Sequence, residues 1–503
     1  MKIWLDTTIA DQTSDKIGDC VPAECSGDCD HSQWNFLSIK PSLNEDGLHS
    51  LYTGMLQQAT PLHRQICGDE RWLVCHPTGA GQLVILDRRV WALFERFQMP
   101  RSLASVVEAM AETKPDEIER AVTLLYKVGL LEHWGRPSGE HGRQQGQTLS
   151  AWLHVTNACN LRCHYCYLEK TTERMAEDTA QQSVDAIFRS AEKHHFTHVH
   201  LKYAGGEASL HMSRVLGIHD YAERLAQQRN IRLSASILSN GVVLSQHTIE
   251  QLKARNIKIM ISLDGLGEFH NSQRPFIQGQ GSFQYVDRTI GRLLAHGLTP
   301  HISITISQRN LEGLTDLLAY ILERNMTFTF SYYRENAYAL SRDLQFDEQQ
   351  MIAAMQPVFA LLERRLPERS LLNSLLDKAN LDYPHQHTCG VGQNYLVIDQ
   401  RGGVAKCQAD IQHTITTIHD DDPLQKIRDD RSGVQNVAVE EKEGCRTCDW
   451  RYWCTGGCPL LTYRVTGRND VKSPNCTIYQ ALFPQVLRLE ALRLLKYVTP
   501  TSV

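Results

Sequence analysis

The sequence predicts an α/β chain built around a parallel sheet, with one folded region before that sheet and one after it. Three observations predict this. Between Ala151 and Tyr333, six strand-like runs alternate with helical segments, the order that a parallel sheet with crossover helices requires. Residues 68–135 read as strand, strand, helix, helix, helix. From Cys389 onward, cysteines recur at short fixed spacings, which marks a separate metal-dependent unit. A chain of 503 residues has room for about three domains.

Bulk properties exclude several functions. A formal net charge of −5 argues against a nucleic-acid binder working through a basic surface. No run approaches the roughly 18 apolar residues of a membrane span. Met1-Lys2-Ile3-Trp4-Leu5-Asp6 lacks the apolar core of a signal peptide, so the expected location is cytoplasmic, with no membrane partner. The 15 cysteines are too clustered for a disulfide framework, and in a reducing compartment that pattern points to metal.

Taken in order, residues 1–65 form an N-terminal extension. Its Cys20, Cys25, Cys29 and His31 are either a further metal site or free thiols in a flexible segment. Leu48, Leu51, Met55 and Leu56 give Asp46–Gln58 the apolar spacing of a helix. Residues 66–136 make the first folded domain. Arg71–His76 and Gln82–Leu86 read as strands joined by Pro77-Thr78-Gly79-Ala80-Gly81. Helices are expected at Arg88–Phe97, Ser102–Ala111 and Pro115–Val128, the last stopped by Gly129. Cys67 and Cys75 are expected there as small buried hydrophobes. Residues 137–149 are a polar, glycine-rich linker.

The central domain is expected over 150–336, with strands at 151–156, 198–204, 232–238, 258–264, 300–306 and 327–333. On such a sheet functional residues gather on loops at the C-terminal ends of the strands. Residues 337–384 read as bridging amphipathic helices with Leu361, Leu362, Leu366, Leu371, Leu372, Leu375 and Leu376 as core. Residues 385–480 carry the cysteine array, and a C-terminal helix is expected over 481–503.

The first of those loops reads Cys159-Asn160-Leu161-Arg162-Cys163-His164-Tyr165-Cys166. Three thiolates on one loop can hold three irons of a [4Fe–4S] cube and leave the fourth open; a structural zinc knuckle or unrelated thiols are the alternatives. The run resembles the CxxxCxΦC motif of the radical S-adenosylmethionine (SAM) superfamily, with Tyr165 in the aromatic slot. The resemblance implies a partial (βα)6 barrel. It also implies a cluster whose open iron chelates SAM, and a 5′-deoxyadenosyl radical that abstracts hydrogen. It assigns further residues to SAM. Gly205-Gly206-Glu207-Ala208 resembles the family's GGEP, with alanine where proline is usual; Glu207 would accept from the SAM ammonium group, and the glycines let backbone approach a ligand. Ser239-Asn240-Gly241 and Ser262-Leu263-Asp264 end the third and fourth strands, where Ser239, Asn240, Ser262 and Asp264 either bind hydroxyls or cap turns. Arg274 would meet the SAM carboxylate. Gly281-Ser282-Phe283 opens a helix, as in relatives. Tyr332-Tyr333-Arg334-Glu335 either face a substrate or are ordinary polar surface.

The later cysteines are Cys389, Cys407, Cys445, Cys448, Cys454, Cys458 and Cys476. Their gaps resemble the SPASM extension of that superfamily throughout. The resemblance implies two auxiliary [4Fe–4S] clusters, three clusters in all. One would take Cys445, Cys448, Cys454 and Cys476. The other would take Cys389, Cys407 and Cys458, completed either by a His or Asp of Asp382–His387 or left with an open iron. Residues 66–136 resemble the PqqD-like fold, the peptide-recognition element of ribosomal-peptide maturation, in which a leader peptide adds a strand to a sheet edge. The combination implies a peptide maturase acting on a precursor peptide with a leader sequence. Its electrons would come from a donor such as flavodoxin or ferredoxin, and intrapeptide cross-linking is the expected outcome. Anaerobic formylglycine formation, as in sulfatase maturation, or another protein dehydrogenation is the alternative. Gln408, standing where those relatives carry an acidic base, weakens it.

Overall fold

A computed structural model of the chain describes residues 1–5, 51, 53–79, 82–135 and 147–503. Cys20, Cys25, Cys29, His31 and most of the expected linker lie outside the described residues. All cysteines among the described residues are free thiols.

The N-terminal domain holds two small antiparallel sheets. Its strands are β1 (Lys2–Trp4), β2 (Met55–Gln58), β3 (His63–Ile66), β4 (Arg71–Cys75), β5 (Val84–Asp87), β6 (Arg101–Ser102) and β7 (Leu131–His133). The expected hairpin is the β4–β5 pair, but neither of its edges is open, because β1 covers β5 and β3 covers β4. The three expected helices follow at Arg88–Glu95, Leu103–Ala109 and Pro115–Lys127. Asp87 and Ser102 cap the first two through side-chain oxygens, and Pro115 opens the third, where its missing N–H costs nothing. Val74, Val84 and Leu86 of the sheet pack against Val90, Phe94, Ile118 and Val122 of the helices. Cys67 and Cys75 are buried, as expected of small apolar residues.

The helix expected over Asp46–Gln58 is corrected at its end. Met55–Gln58 is the central strand of a sheet ordered β6-β2-β7. Leu56 and Gln58 are buried on this strand, and the helical spacing of Leu48, Leu51 and Met55 gave no sign of that pairing.

The centre of the molecule is a nine-stranded sheet among the described residues. Strands β8 (Thr148–His154), β9 (His198–Ala204), β10 (Arg232–Ser239), β11 (Lys258–Ser262), β12 (His301–Ile306) and β13 (Thr327–Tyr332) lie side by side and parallel. These are the six expected strands, each linked to the next by a helical crossover. One face is apolar: Leu149, Leu153, Leu201, Ile237, Ile261, Ile304 and Phe330 join the helices in the main core. The other face is polar, as developed below.

Three further strands extend this sheet beyond β8: β14 (Tyr395–Ile398), β15 (Gly403–Ala405) and β16 (Thr414–Thr417). β14 pairs parallel with β8, and β15 and β16 follow antiparallel. The cysteine-rich region is thereby continuous with the central sheet. The expected bridging helices reduce to one, Glu348–Arg364; Leu371, Leu372, Leu375 and Leu376 are buried core but lie in turns. The last helix begins at Cys476 and ends at Tyr497, packs on Glu348–Arg364, and is followed by β17 (Thr501–Ser502), which pairs with β1. No helix among the described residues is long and apolar enough to cross a membrane.

Candidate functional site

The loop carrying Cys159, Cys163 and Cys166 leaves the C-terminal end of β8. Its three thiols are half-buried. Thr156 Oγ1 donates to Glu173 O (2.9 Å) and accepts from Ala158 N (3.1 Å), which sets the first turn. Farther along, Arg162 N donates to Pro275 O (2.8 Å) and His164 N to Gln273 O (2.9 Å), so the loop is laced to the segment holding Arg274. Burial pushes the Cys163 thiol up to about 12 and raises Cys159 as well. Lys170 answers this. Burial works against its charge, yet the thiolates of Cys166 and Cys159 outweigh that and raise its pKa. A half-buried cation beside three thiols favours the deprotonated state in which thiols bind metal. Sequence reasoning missed Lys170, and no spacing rule singles it out.

Gly205 and Gly206 follow β9 and press against this loop. Gly206 N donates to Thr156 O (2.6 Å) and Glu207 N to Ala158 O (2.9 Å). A Cβ on Gly206 would stand 2.4 Å from Ala158 O, and one on Gly205 would stand 2.4 Å from Thr156 O. In the structure the close approach that these glycines permit is therefore to the cysteine loop itself. Glu207 is buried and accepts three bonds: Oε1 from Ser209 N (3.0 Å) and Ser239 Oγ (2.9 Å), Oε2 from Asn240 N (2.6 Å). Asn240 in turn donates to Asn160 Oδ1 (2.8 Å) and lies 3.9 Å from Cys159 Sγ. Glu207 thus ties the ends of β9 and β10 to the thiol loop, and Oε2 keeps acceptor capacity for a ligand. Ala208, in the place of the usual proline, is fully buried and begins a 3-10 turn.

Behind the loop lies a buried group of three. Tyr165 donates to Asp264 Oδ2 (2.6 Å), Arg274 Nη1 donates to the Tyr165 hydroxyl, and Arg274 Nη1 stands 3.6 Å from Asp264 Oδ2. Burial raises the Asp264 carboxyl, and the Arg274 charge opposes that. Asp264 Oδ1 also accepts from Thr305 N (2.8 Å). Its carboxylate faces Tyr165 and Arg274. Ser262 is half-buried at the end of β11. Ser282 precedes the helix Phe283–Ala295, as expected, and donates to Arg274 O (2.6 Å).

At the end of β13, Arg334 contacts a thiol. Its Nε lies 3.1 Å from Cys458 Sγ, while Nη2 pairs with Asp377 (2.7 Å). Tyr332 is buried on the helix side of the sheet. Plain polar surface does not describe Arg334, whose side chain is only 10% exposed.

In the C-terminal region Cys445, Cys448, Cys454 and Cys476 line one pocket together with Trp450, Lys472 and Phe483. Burial pushes Cys445 up to about 11 and Cys454 to about 12. Cys389 belongs to the packing layer that holds Trp152 and Ala204, with Cys166 and Cys407 at its border, and Cys407 also borders the adjoining layer that holds Cys458. Of the candidate fourth ligands, Asp382 accepts from Asn373 (2.7 Å) and His385 bonds Tyr383 O (3.1 Å). Among the described residues no three His, Cys, Asp or Glu side chains group as the ligands of a single metal ion would. The donors, thiols with three on one loop and four around one pocket, fit iron–sulfur groups. Lys442 is buried near Cys445, Cys389, Cys454 and Cys458; burial lowers its pKa, and it donates to Thr455 O (2.6 Å).

Comparison with known proteins agrees with this geometry. Residues 153–320 match the Radical SAM superfamily. The antilisterial bacteriocin subtilosin biosynthesis protein AlbA of Bacillus subtilis (strain 168) is 24% identical over 265 residues, 52% of this chain and 54% of AlbA. The sporulation killing factor maturation protein SkfB of the same organism is 25% identical over 268 residues, 52% of this chain and 59% of SkfB. The chain thus spans somewhat over half the length of these curated relatives. Native anSMEcpe with bound AdoMet and Cp18Cys peptide shares the fold at TM-score 0.56 and 17% identity, covering 69% of this chain and 99% of that one. The stretch that matches the Radical SAM superfamily, residues 153–320, holds the three-thiol loop together with Gly206, Glu207, Asn240 and Arg274, which are laced to it.

Proposed function

We propose that this chain is a radical SAM enzyme that oxidatively modifies a ribosomally made precursor peptide, with an intrapeptide cross-link as the outcome. The observation that carries the reading is the three-thiol loop fixed at the C-terminal end of β8 by Gly206, Glu207 and Asn240. A [4Fe–4S] cluster with SAM bound there supplies a 5′-deoxyadenosyl radical and its hydrogen abstraction. Cys159, Cys163 and Cys166 hold that cluster. Glu207 offers its remaining acceptor capacity to the SAM ammonium group, and Ser239, Asn240 and Ser262 border the same strand ends. Arg274, held by Tyr165 and Asp264, keeps a cation beside Cys163. Cys445, Cys448, Cys454 and Cys476 hold one auxiliary cluster, and Cys389, Cys407 and Cys458 hold another. Clusters held there would supply a sink for the electron released on bond formation, and a flavodoxin or ferredoxin would be the donor of the first one.

AlbA and SkfB, whose names describe a bacteriocin biosynthesis protein and a killing-factor maturation protein, support a peptide substrate. The resemblance of the sequence over residues 66–136 to the PqqD-like fold points the same way. With β4 and β5 covered, a leader strand would take an outer strand instead; β3 is one end of that sheet's order among the described residues, and Ile66 on it is 65% exposed. Formylglycine formation is less well supported. Gln408 is neutral, buried, and accepts from the Tyr395 hydroxyl (2.9 Å), while Asp410 faces His413 (3.0 Å) and Arg464 (3.5 Å).

The test is anaerobic incubation of the reconstituted chain with SAM, dithionite and a leader-bearing peptide from a neighbouring gene. The expected result is 5′-deoxyadenosine together with loss of two hydrogens from the peptide, both absent when Cys159, Cys163 and Cys166 are changed to Ala. Deoxyadenosine without a mass change in any leader-bearing peptide would refute peptide maturation. No SAM cleavage at all would refute the radical chemistry.

A further inference from the structure

Three buried polar groups on one face of the central sheet have no hydrogen-bond partner among the described residues: Nζ of Lys202, Nε1 of Trp152 and Nδ1 of His154. They are neighbours. Trp152 and Lys202 lie opposite each other in the β8–β9 register, and His154 follows Trp152 by two residues, on the same face. That face is turned away from the helices. The intervening Leu153, Leu201 and Tyr203 join the helix-side core, and the Tyr203 hydroxyl meets His219 Nδ1 at 3.1 Å on the helix Met212–Arg229. The exposures of Lys202, His154 and Trp152 are only 1%, 1% and 4%.

Other polar groups on this face are paired. His200 bonds Ser234 (2.7 Å) and Ser236 (3.2 Å), and His301 bonds Thr327 (2.9 Å) and Thr329 (3.0 Å). The unpaired ones gather toward the C-terminal ends of β8 and β9, below the cysteine loop. Lys202 makes no ion pair with any described residue. An ammonium and an indole N–H can only donate, and a fully buried ammonium calls for an anion. His154 differs: its Nε2 lies 2.6 Å from Asn157 Oδ1, while Asn157 Nδ2 is committed to Thr171 Oγ1 (3.2 Å). Nε2 therefore carries the imidazole proton, and Nδ1 is left as an acceptor.

We propose that Lys202, Trp152 and His154 form a subsite for an acidic residue of a peptide, its carboxylate on Lys202 and Trp152 and an N–H turned to His154. The assignment of that residue to the substrate rests on the peptide-maturation reading; the anion chemistry of the site does not. Because the three groups lie on the sheet face under the thiol loop, an acidic residue seated there fixes which neighbouring residue of the peptide is presented for hydrogen abstraction.

The test needs no turnover. Binding of two probes, acetate and N-acetyl-aspartate amide, is measured by calorimetry on the anaerobically reconstituted full chain without SAM. The expected result is binding of N-acetyl-aspartate amide at least tenfold tighter than acetate. In Lys202→Met both probes lose binding, and in His154→Phe only the preference for the N–H-bearing probe is lost. Should Lys202→Met fail to fold, Trp152→Phe is expected to weaken both probes severalfold. No binding of either probe to wild type, or unchanged binding in Lys202→Met, would overturn the subsite. Equal affinity for the two probes would overturn its assignment to a peptide residue. Failure of the peptide-maturation reading alone would leave all of these binding results standing.

Discussion

Replacing Glu207 by Gln tests whether this carboxylate organises the loops around the thiols. Its three hydrogen bonds reach Ser209 N, Ser239 Oγ and Asn240 N, at a residue only 2% exposed. A glutamine can keep its single oxygen at the Oε1 position and retain the first two. Its amide nitrogen then faces Asn240 N, a donor against a donor. One charge-assisted bond is lost, about 1.5–3 kcal/mol, and a buried donor is left unsatisfied, about 1–3 kcal/mol. The turn Ser239-Asn240-Gly241 is therefore destabilised by roughly 3–5 kcal/mol. At about 1.4 kcal/mol per tenfold, amide exchange there should accelerate by roughly 100-fold or more, unless whole-domain opening limits it sooner. Hydrogen–deuterium exchange with mass spectrometry on peptides covering 237–244 reads this directly, without SAM or turnover. Exchange within threefold of wild type would refute the organising role.

Other perturbations separate the parts of the site. Gly206→Ala puts a Cβ against the backbone oxygens of Ala158 and Asn157, at 2.4 and 2.5 Å, and neither can withdraw without moving the cysteine loop. This variant should retain less iron after reconstitution with unchanged circular dichroism; wild-type iron content would count against the close packing. Cys454→Ala should lower soluble yield, because cluster binding in the C-terminal region is folding free energy, whereas Cys163→Ala should stay soluble but lose SAM cleavage. Equal loss of yield in both would contradict that split. His301 is held neutral by burial, with its pKa lowered to about 3 from about 6.5 unfolded. Protons then bind the unfolded state preferentially below pH 6.5, so stability falls as the pH drops from there toward 3, at about 1.4 kcal/mol per pH unit for this one group. His301→Gln should flatten the fall in urea midpoint between pH 6.5 and 5 by that share; an unchanged slope would refute the assignment.

Much of this was legible in the chain because it rests on short-range chemistry. Strands β8 to β13 were readable from alternation with helical segments, and the thiol loop from its spacing. The rest depended on partners remote in sequence. β1 has three residues and β3 reads His-Arg-Gln-Ile, so neither shows an apolar alternation, and both form by pairing with the β4–β5 hairpin. β14 reads as an ordinary apolar run, and nothing local says that it joins β8. Glu207 was legible as an acceptor, but its commitment to β10 required the fold. Arg334 touches a thiol only through tertiary placement, and Lys170, although four residues from Cys166, belongs to no motif.

One signal was present in the sequence and carries further than the motifs. Parallel sheets covered on both faces are built from nearly continuous apolar strands. Here β9 reads His-Val-His-Leu-Lys-Tyr-Ala and β12 reads His-Ile-Ser-Ile-Thr-Ile, a strict alternation. In a parallel sheet whose helices all pack on one face, such alternation means that the opposite face meets something polar. The paired histidines His200 and His301 meet hydroxyls of the adjacent strand. The Nζ of Lys202, on the same face of β9 as His200, has no hydrogen-bond partner among the described residues. A site designed only to hold a cluster would need polar groups at the strand ends alone. Polar residues running the length of the inner face, with a buried cation near its upper end, are what a face that receives a polar substrate requires.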